Sequence, residues 1–299
     1  IRSNKERIRG SKTLIKNVTL ISPGEMGSPI AKHIISNGIE VISPLNERSD
    51  KTKFRAKKNG IIDSGNLANS LKQTDIIVSI LVPSDAKKLA EKIKEESTNL
   101  DRDVYFADLN AISPKTVENM EKILSGTKIK FIDGGIIGTP PTENKFPRIY
   151  VSGPHSKIFM QLNNMGMEVI DMGGNIGEAS AMKMAYASIT KGYSSLLIAA
   201  VMLSIKTNNF DSLMDELEYS QPRVFEDLKK LKGIPSKAHR WIGEMQEISN
   251  TYIDNDVSGN FHKGSYDIYK KVSSSKLGSK RLLPDEIKVE GKEFFEDLY

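Results

Sequence analysis

Cysteine is absent from the 299-residue chain. Disulfides, thiolate metal sites and a cysteine nucleophile are therefore excluded, and the redox compartment is left undetermined. Histidine is scarce, and His33, His155, His239 and His262 lie far apart. With no HExxH and no carboxylate ladder, no metal site is expected. His239 and His262 are expected to be ordinary surface or core residues. No apolar run approaches the ~18 residues of a membrane span, so no membrane contact is expected. The net charge is only +5, and its clearest concentration is the opening IRSNKERIRGSK. Residues 1–16 read as a solvated basic arm; Glu6 and the missing apolar face argue against a transit peptide. No aromatic-basic face or recognised module points to nucleic acid. A cytoplasmic chain acting on a small molecule is the expectation that remains.

Hydrophobic residues make up 38% and charged residues 27% of the chain, an ordinary globular balance. The length favours two domains over one. The stretch Gly173–Lys206, GGNIGEASAMKMAYASITKGYSSLLIAAVMLSIK, organises the sequence. From Glu178 on it lacks proline, and apolar residues recur at Met182, Ala185, Tyr186, Ile189, Tyr193, Leu196, Leu197 and Ala200. That spacing predicts one helix of roughly 43 Å at about 1.5 Å per residue. Beyond Lys191 the run is apolar on nearly every face, including Leu196, Ile198, Val201, Met202 and Ile205. Such a helix needs burial on all sides, from later helices, a second copy of the chain, or both. Near its start Lys183 lies among Met182, Met184 and Ala185. A lysine in apolar surroundings can lose its proton near neutral pH and act as a base; it can equally snorkel to solvent.

Upstream, NVTLIS at Asn17–Ser22 reads as a strand, SPGEMG at Ser22–Gly27 as a turn, and the following residues to Gly38 as a helix. This is the context in which a dinucleotide fingerprint carries meaning. Glycines admit a pyrophosphate to backbone N–H groups, and the helix N-terminus adds partial positive charge. Of three expected glycines, Gly24 and Gly27 are present and Ser22 holds the first place. A glycine turn that merely packs a helix on a sheet would look the same. IEVISPLNERS, Ile39–Ser49, is the next strand and its exit, where Arg48 and Ser49 suit the 2′-phosphate of NADP while Glu47 complicates the choice. Strand-like runs follow at Thr74–Pro83, Asp103–Pro114, Ile129–Pro141, Arg148–Pro154 and Met167–Gly174, alternating with helical segments. The alternation predicts a doubly wound, mostly parallel sheet with ligands beyond its strand ends, near Pro83, Asn110 and Gly134–Thr139. After the long helix, Asp211–Glu218, Arg223–Leu231, Lys237–Thr251 and Phe261–Lys271 read as helices, and Gly278–Tyr299 as a charged, partly ordered tail. The expected architecture is an α/β Rossmann-type domain at 17–174 and an all-helical domain at 175–299.

These pieces, in this order, resemble the β-hydroxyacid dehydrogenase superfamily, which includes 6-phosphogluconate and 3-hydroxyisobutyrate dehydrogenases. SPGEMG stands for its phosphate loop GxGxMG, SILVP for the segment ending its fourth strand, and Asp108–Pro114 for its DxSTxxP pattern. Asp133–Thr139 lines up with its DAPVSGG substrate loop, and Gly177–Ala187 with its GxGxxxKxxxN catalytic helix. Three positions depart: Ile137 replaces a serine that helps hold substrate carboxylate, Ala187 an asparagine, and Ala111 a threonine. DGGIIG, KMAYAxxTKG and RWIGEM (Arg240–Met245) are similar to a divergent subgroup with a C-terminal domain of unknown function. The resemblance implies an oxidoreductase with Lys183 as acid/base. It implies cofactor contacts from Ser22, Pro23, Gly24, Glu25, Met26, Gly27, Arg48, Ser49, Leu81, Val82, Pro83 and Asn110. Substrate contacts are expected from Gly138, Thr139, Lys191, Arg240 and Trp241, with Asn110 also able to orient substrate. NADP is the expected cofactor and NAD the second candidate; the substrate is a small hydroxy acid or related carbonyl compound. A homodimer through the helical domains is implied as well. An imine or ketone reductase and a sensor that binds NADP(H) without turnover are the rival readings. Lys183 speaks against the first, and Ile137 with Ala187 favours the second.

Overall fold

The computed structural model describes residues 14–299; most of the basic arm, residues 1–13, lies outside the described residues. The elements in order are β1 Asn17–Ile21, α1 Gly27–Ser36, β2 Glu40–Ser43, α2 Asp50–Lys58, β3 Ile62–Asp63, α3 Leu67–Gln73, β4 Ile76–Ser79, α4 Pro83–Glu96, β5 Val104–Asp108, α5 Pro114–Leu124, β6 Ile129–Ile137, β7 Arg148–Ser152, α6 Ser156–Phe159 and β8 Glu168–Gly173. Helices then follow alone: α7 Glu178–Lys206, α8 Phe210–Ser220, α9 Pro222–Lys229, α10 Ala238–Asp254, α11 Asn260–Ser274 and α12 Gly291–Leu298.

The strands form one sheet in the order β3-β2-β1-β4-β5-β6-β7-β8. All neighbours are parallel except β6 and β7. Parallel strands are covered on both faces, so they read as continuous apolar runs. Ile76, Ile77 and Val78 of β4 and Val18, Leu20 and Ile21 of β1 are accordingly buried. The strand order reverses between β1 and β4, the switch point at which open α/β sheets bind ligands. Two-residue β3 carries no signal readable in the sequence.

The chain divides into two compact units, and the division is not a single cut at 174. The first comprises the described residues up to Ile80, with Ala90–Leu109 and Ile123–Gly174. The second comprises Leu81–Leu89, Asn110–Lys122 and Asn175–Tyr299. Side-chain bonds account for the middle segment. The Glu247 carboxylate of α10 accepts from Ser113 N–H at 2.7 Å and from the Thr116 hydroxyl at 3.1 Å, and Lys115 pairs with Asp254 at 3.0 Å.

Within the second unit α7 spans the predicted residues, but its two sides are not alike. Ala179, Met184, Ala187, Leu197, Ile198, Val201 and Met202 are buried against the unit's own helices. Most of the apolar stripe that marked the helix in the sequence faces outward: Tyr186, Ile189, Tyr193, Leu196 and Leu203 are exposed. All-round burial within one chain is thus not what the fold delivers. By length and composition alone α7 is apolar enough to cross a bilayer. The apolar-run reading missed this because Lys191 and several serines interrupt the sequence, and the buried side of α7 lies in the core of a helical unit.

The turn after β1 shows how the missing glycine is managed. Ser22 adopts φ 60°, the left-handed region, and Gly24 N–H bonds to the Ser22 carbonyl at 2.7 Å. A serine there carries a steric cost of roughly 1–2 kcal/mol that a glycine does not, offset in part by glycine's larger backbone entropy. Ser22→Gly is expected to raise unfolding free energy by up to ~1 kcal/mol. Urea denaturation monitored by circular dichroism checks it, and a loss of stability would show that the serine is held by more than backbone fit.

Candidate functional site

The first unit contributes an anion-binding turn. A Cβ added at Gly24 would meet nothing nearer than the Ser22 carbonyl oxygen at 3.7 Å, so the backbone there is approachable. A Cβ at Gly27 would meet Leu20 Cδ2 at 3.2 Å. Gly27 therefore sets close contact of α1 on β1. No side chain among the described residues caps α1, and its first turn holds no acidic residue. The N-termini of α2 and α3 are capped instead, by Ser49 and Asn66. An uncapped, acid-free helix start at the switch point fits a pyrophosphate. Pro23, Glu25 and Met26 belong to this same turn.

Arg48 and Ser49 follow β2, as expected. Ser49 is already engaged as the cap of α2, its hydroxyl 3.4 Å from Thr52 N–H and 3.1 Å from the Thr52 hydroxyl. Glu47, the acidic residue that complicated the cofactor choice, is highly exposed and lies 3.7 Å from Lys92. Gly138 and Thr139 sit exposed just past β6. Gly138 has φ 126°, and a Cβ there would meet Pro147 Cα at 3.2 Å, so the position needs glycine to hold this loop.

The second unit gathers the remaining residues. Leu81 and Val82 lead into α4, which Pro83 opens. Asn110 is buried, and its amide oxygen accepts from Leu81 N–H. Asn110 thus fastens the start of α4 to the start of the Asn110–Lys122 segment. Gly243 of α10 keeps this region close, since a Cβ there would lie 4.0 Å from Pro83 Cγ. Gly177 introduces α7 with φ 101°, and a Cβ on it would meet Pro114 Cβ at 3.3 Å.

Lys183 follows in the second turn of α7. Burial, and then the charge of Lys191, bring its ammonium from an ordinary lysine value down to about 8; Glu244 opposes them. Desolvation is the larger cause, because it disfavours the charged form of any amine. Lys191, two turns further on, forms an ion pair with Glu244 of α10, with only 12% and 15% of the two side chains exposed. Its ammonium also stands 5.5 Å from the Trp241 ring centroid. The Tyr269 hydroxyl of α11 donates to the Lys191 carbonyl at 2.6 Å, and its ring meets Trp241 edge-on at 5.1 Å. Lys183, Lys191 and Trp241 are thereby joined in one polar cluster within the helical unit. Arg240, next to Trp241 on α10, is exposed. Glu244 was missed by sequence reasoning although it lies inside the RWIGEM pattern, three residues after Trp241 and so on the same helix face. His262 is buried, edge-on to Tyr252 at 4.7 Å, and burial lowers its basicity. Among the described residues no His, Asp and Glu group is arranged to hold a metal ion.

Comparison with known proteins identifies relatives of this chain. Residues 17–174 match the family described as the NAD binding domain of 6-phosphogluconate dehydrogenase. Residues 209–272 match a domain of unknown function, DUF1932. An uncharacterised 28.5 kDa protein of Methanothermus fervidus is 27% identical over 85% of this chain and 98% of its own length. A solved structure of a conserved protein of unknown function, described as similar to 3-hydroxyacid dehydrogenases, is 25% identical with a TM-score of 0.65, covering 89% of this chain and 98% of its own. The 3-hydroxyisobutyrate dehydrogenase of Mycobacterium tuberculosis, solved with L-serine, shares the fold at 13% identity, with a TM-score of 0.67 over 94% of this chain and 98% of its own. The chain therefore belongs to the family of the 6-phosphogluconate dehydrogenase NAD-binding domain, in the subgroup that joins this domain to a C-terminal domain of unknown function.

Proposed function

We propose that the protein is an NADP(H)-preferring oxidoreductase that interconverts a small hydroxy acid and the corresponding carbonyl compound, with Lys183 as general acid/base. The observation that carries this reading is the buried Lys183 amine, which titrates at about 8 inside the helical unit of a hydroxyacid-dehydrogenase-like chain. A group that gains and loses its proton near working pH is suited to acid/base catalysis. The uncapped start of α1 would hold the pyrophosphate, and Arg48 the 2′-phosphate. When bound, the nicotinamide supplies the hydride acceptor or donor. In oxidation, neutral Lys183 Nζ takes the proton of the substrate hydroxyl as hydride leaves the carbon bearing it; in reduction, the ammonium returns that proton.

We also infer a homodimer, built on the exposed stripe of α7. Met182, Tyr186, Ile189, Tyr193, Leu196, Ala200 and Leu203 alternate in steps of four and three, the pattern of a helix seam. Ile189 is 71% and Leu196 64% exposed in the single chain. An apolar groove beside them continues across α11 to Phe261 and Ile268. Ile198 and Val201, part of the run that needed burial by later helices or a second copy, are 0% and 1% exposed and belong to the protomer's own core.

Four measurements test these readings. Lys183→Met should lower turnover roughly 10²- to 10⁴-fold with cofactor binding retained. In the parent, oxidation should rise with pH through about 8, because the neutral amine is the base and its proton is lost there. Turnover of Lys183→Met within a few-fold of the parent sinks the catalytic role. Arg48→Ala should weaken NADP(H) by ~1.5–3 kcal/mol, roughly ten- to a hundredfold, and leave NAD(H) nearly unchanged. A parent protein that binds NAD(H) more tightly than NADP(H) contradicts the preference. Light scattering at low micromolar concentration should give twice the chain mass, and Ile189→Glu with Leu196→Glu should give folded monomers. A parent mass near one chain rules out the dimer.

A further inference from the structure

Ala187, one turn after Lys183 on α7, offers no hydrogen-bonding side chain to an acidic substrate. Within the helical unit, Lys191 is a cation seated to meet a negatively charged group. Lys191 lies about 12 Å beyond Lys183 along α7. It is held on several sides at once: the Glu244 carboxylate, the Trp241 ring at 5.5 Å, and the Tyr269 hydroxyl that pins its carbonyl at 2.6 Å. A lysine in a loose surface position needs no such seating.

Glu244 pairs with Lys191, but α10 has other anchors as well. The helix is anchored by buried Met245 and Ile248 and by the Glu247 carboxylate on Ser113 and Thr116. Both members of the Lys191–Glu244 pair keep a sliver of solvent exposure, 12% and 15%. The carboxylate can therefore swing out on its three side-chain torsions without unfastening the helix. Its departure alone would leave Lys191 as an uncompensated charge in a mostly buried site, which is strongly unfavourable. Its exchange for another anion would not.

We propose that Lys191 is the specificity-determining residue for the anionic group of the substrate, and that Glu244 is a built-in substitute for that group, displaced when the substrate binds. The exchange replaces one carboxylate by another at Lys191, so the ammonium stays paired throughout. A neutral analogue cannot take the place of Glu244, and the site discriminates by charge as well as by shape. Trp241 closes one side of the ammonium and directs the incoming anion to the side that Glu244 occupies. The substrate class is thereby narrowed to short acids whose carboxylate, or an equivalent oxyanion, reaches Lys191 while the reacting hydroxyl stands at Lys183. This inference rests on the proposed hydroxyacid chemistry at Lys183.

The test is calorimetric titration of the 299-residue chain with malonate, with and without NADP⁺ to occupy the phosphate turn. Malonate has no carbinol carbon and cannot be turned over, so its binding and hydride transfer fail or succeed independently. Glu244→Gln, which removes the competing charge and keeps the side-chain shape, should bind malonate at least fivefold more tightly than the parent. Lys191→Met should bind it at least tenfold more weakly than Glu244→Gln, and neutral malonamide should distinguish none of them. Lys191→Met leaves Glu244 without its cation and is susceptible to misfolding. The double variant Lys191→Met with Glu244→Gln leaves no unpaired charge, and it should remain folded by near-ultraviolet circular dichroism and lose malonate binding equally. Malonate affinity in Glu244→Gln equal to or below that of the parent overturns the proposal. So does parent-like affinity in the double variant.

Discussion

Two ammonium groups held against the packed side of one helix repel each other and lose much of their water, and a neighbouring anion or the loss of a proton makes the arrangement tolerable. This constraint governs the helical unit. Glu244 supplies the anion for Lys191, and Lys183 yields its proton at about 8. Lys183 is thereby left as a group poised to exchange a proton at neutral to mildly alkaline pH. Trp241 and Tyr269 add no charge but keep water and slack away from Lys191.

In the sheet half of the molecule the counterpart is the glycine-containing turn that leads from β1 into α1. The turn after β1 presents backbone donors, and α1 is left without a side-chain cap while α2 and α3 receive one. An uncapped helix start is normally a small liability, one that α6 to α12 also carry. Here it sits beside a serine in a left-handed conformation and a glycine packed tightly on β1. A left-handed serine and a close-packed glycine thus coincide at the strand-order reversal, where open α/β sheets bind ligands.

The strand runs and α7 were legible in the sequence because their signals are local. Buried parallel strands are continuous apolar runs, and Glu178–Lys206 contains no helix breaker other than Gly192. The face of α7 was not legible in the same way. Its strongest apolar stripe, Tyr186 to Leu203, is the side the single chain leaves uncovered. Its buried side mixes large apolar residues, Met184, Leu197, Ile198, Val201 and Met202, with small or polar ones such as Ala187, Ser188 and Ser195. A periodic pattern identifies an amphipathic surface but does not say which neighbour meets it. Glu244 escaped for a related reason, since its meaning lies in a contact across 53 residues with Lys191. The assignment of Leu81–Leu89 and Asn110–Lys122 to the helical unit is equally non-local.

That assignment bears on how such a chain can be rearranged. The boundary between the two units is crossed by the backbone at Ile80–Leu81, Leu89–Ala90, Leu109–Asn110, Lys122–Ile123 and Gly174–Asn175. A genetic cut at residue 174 would deliver the nucleotide-binding half with two of its connecting segments stripped of their partners, and a helical half lacking Ser113 and Lys115 for Glu247 and Asp254. The two halves are therefore not modules that recombination can trade freely.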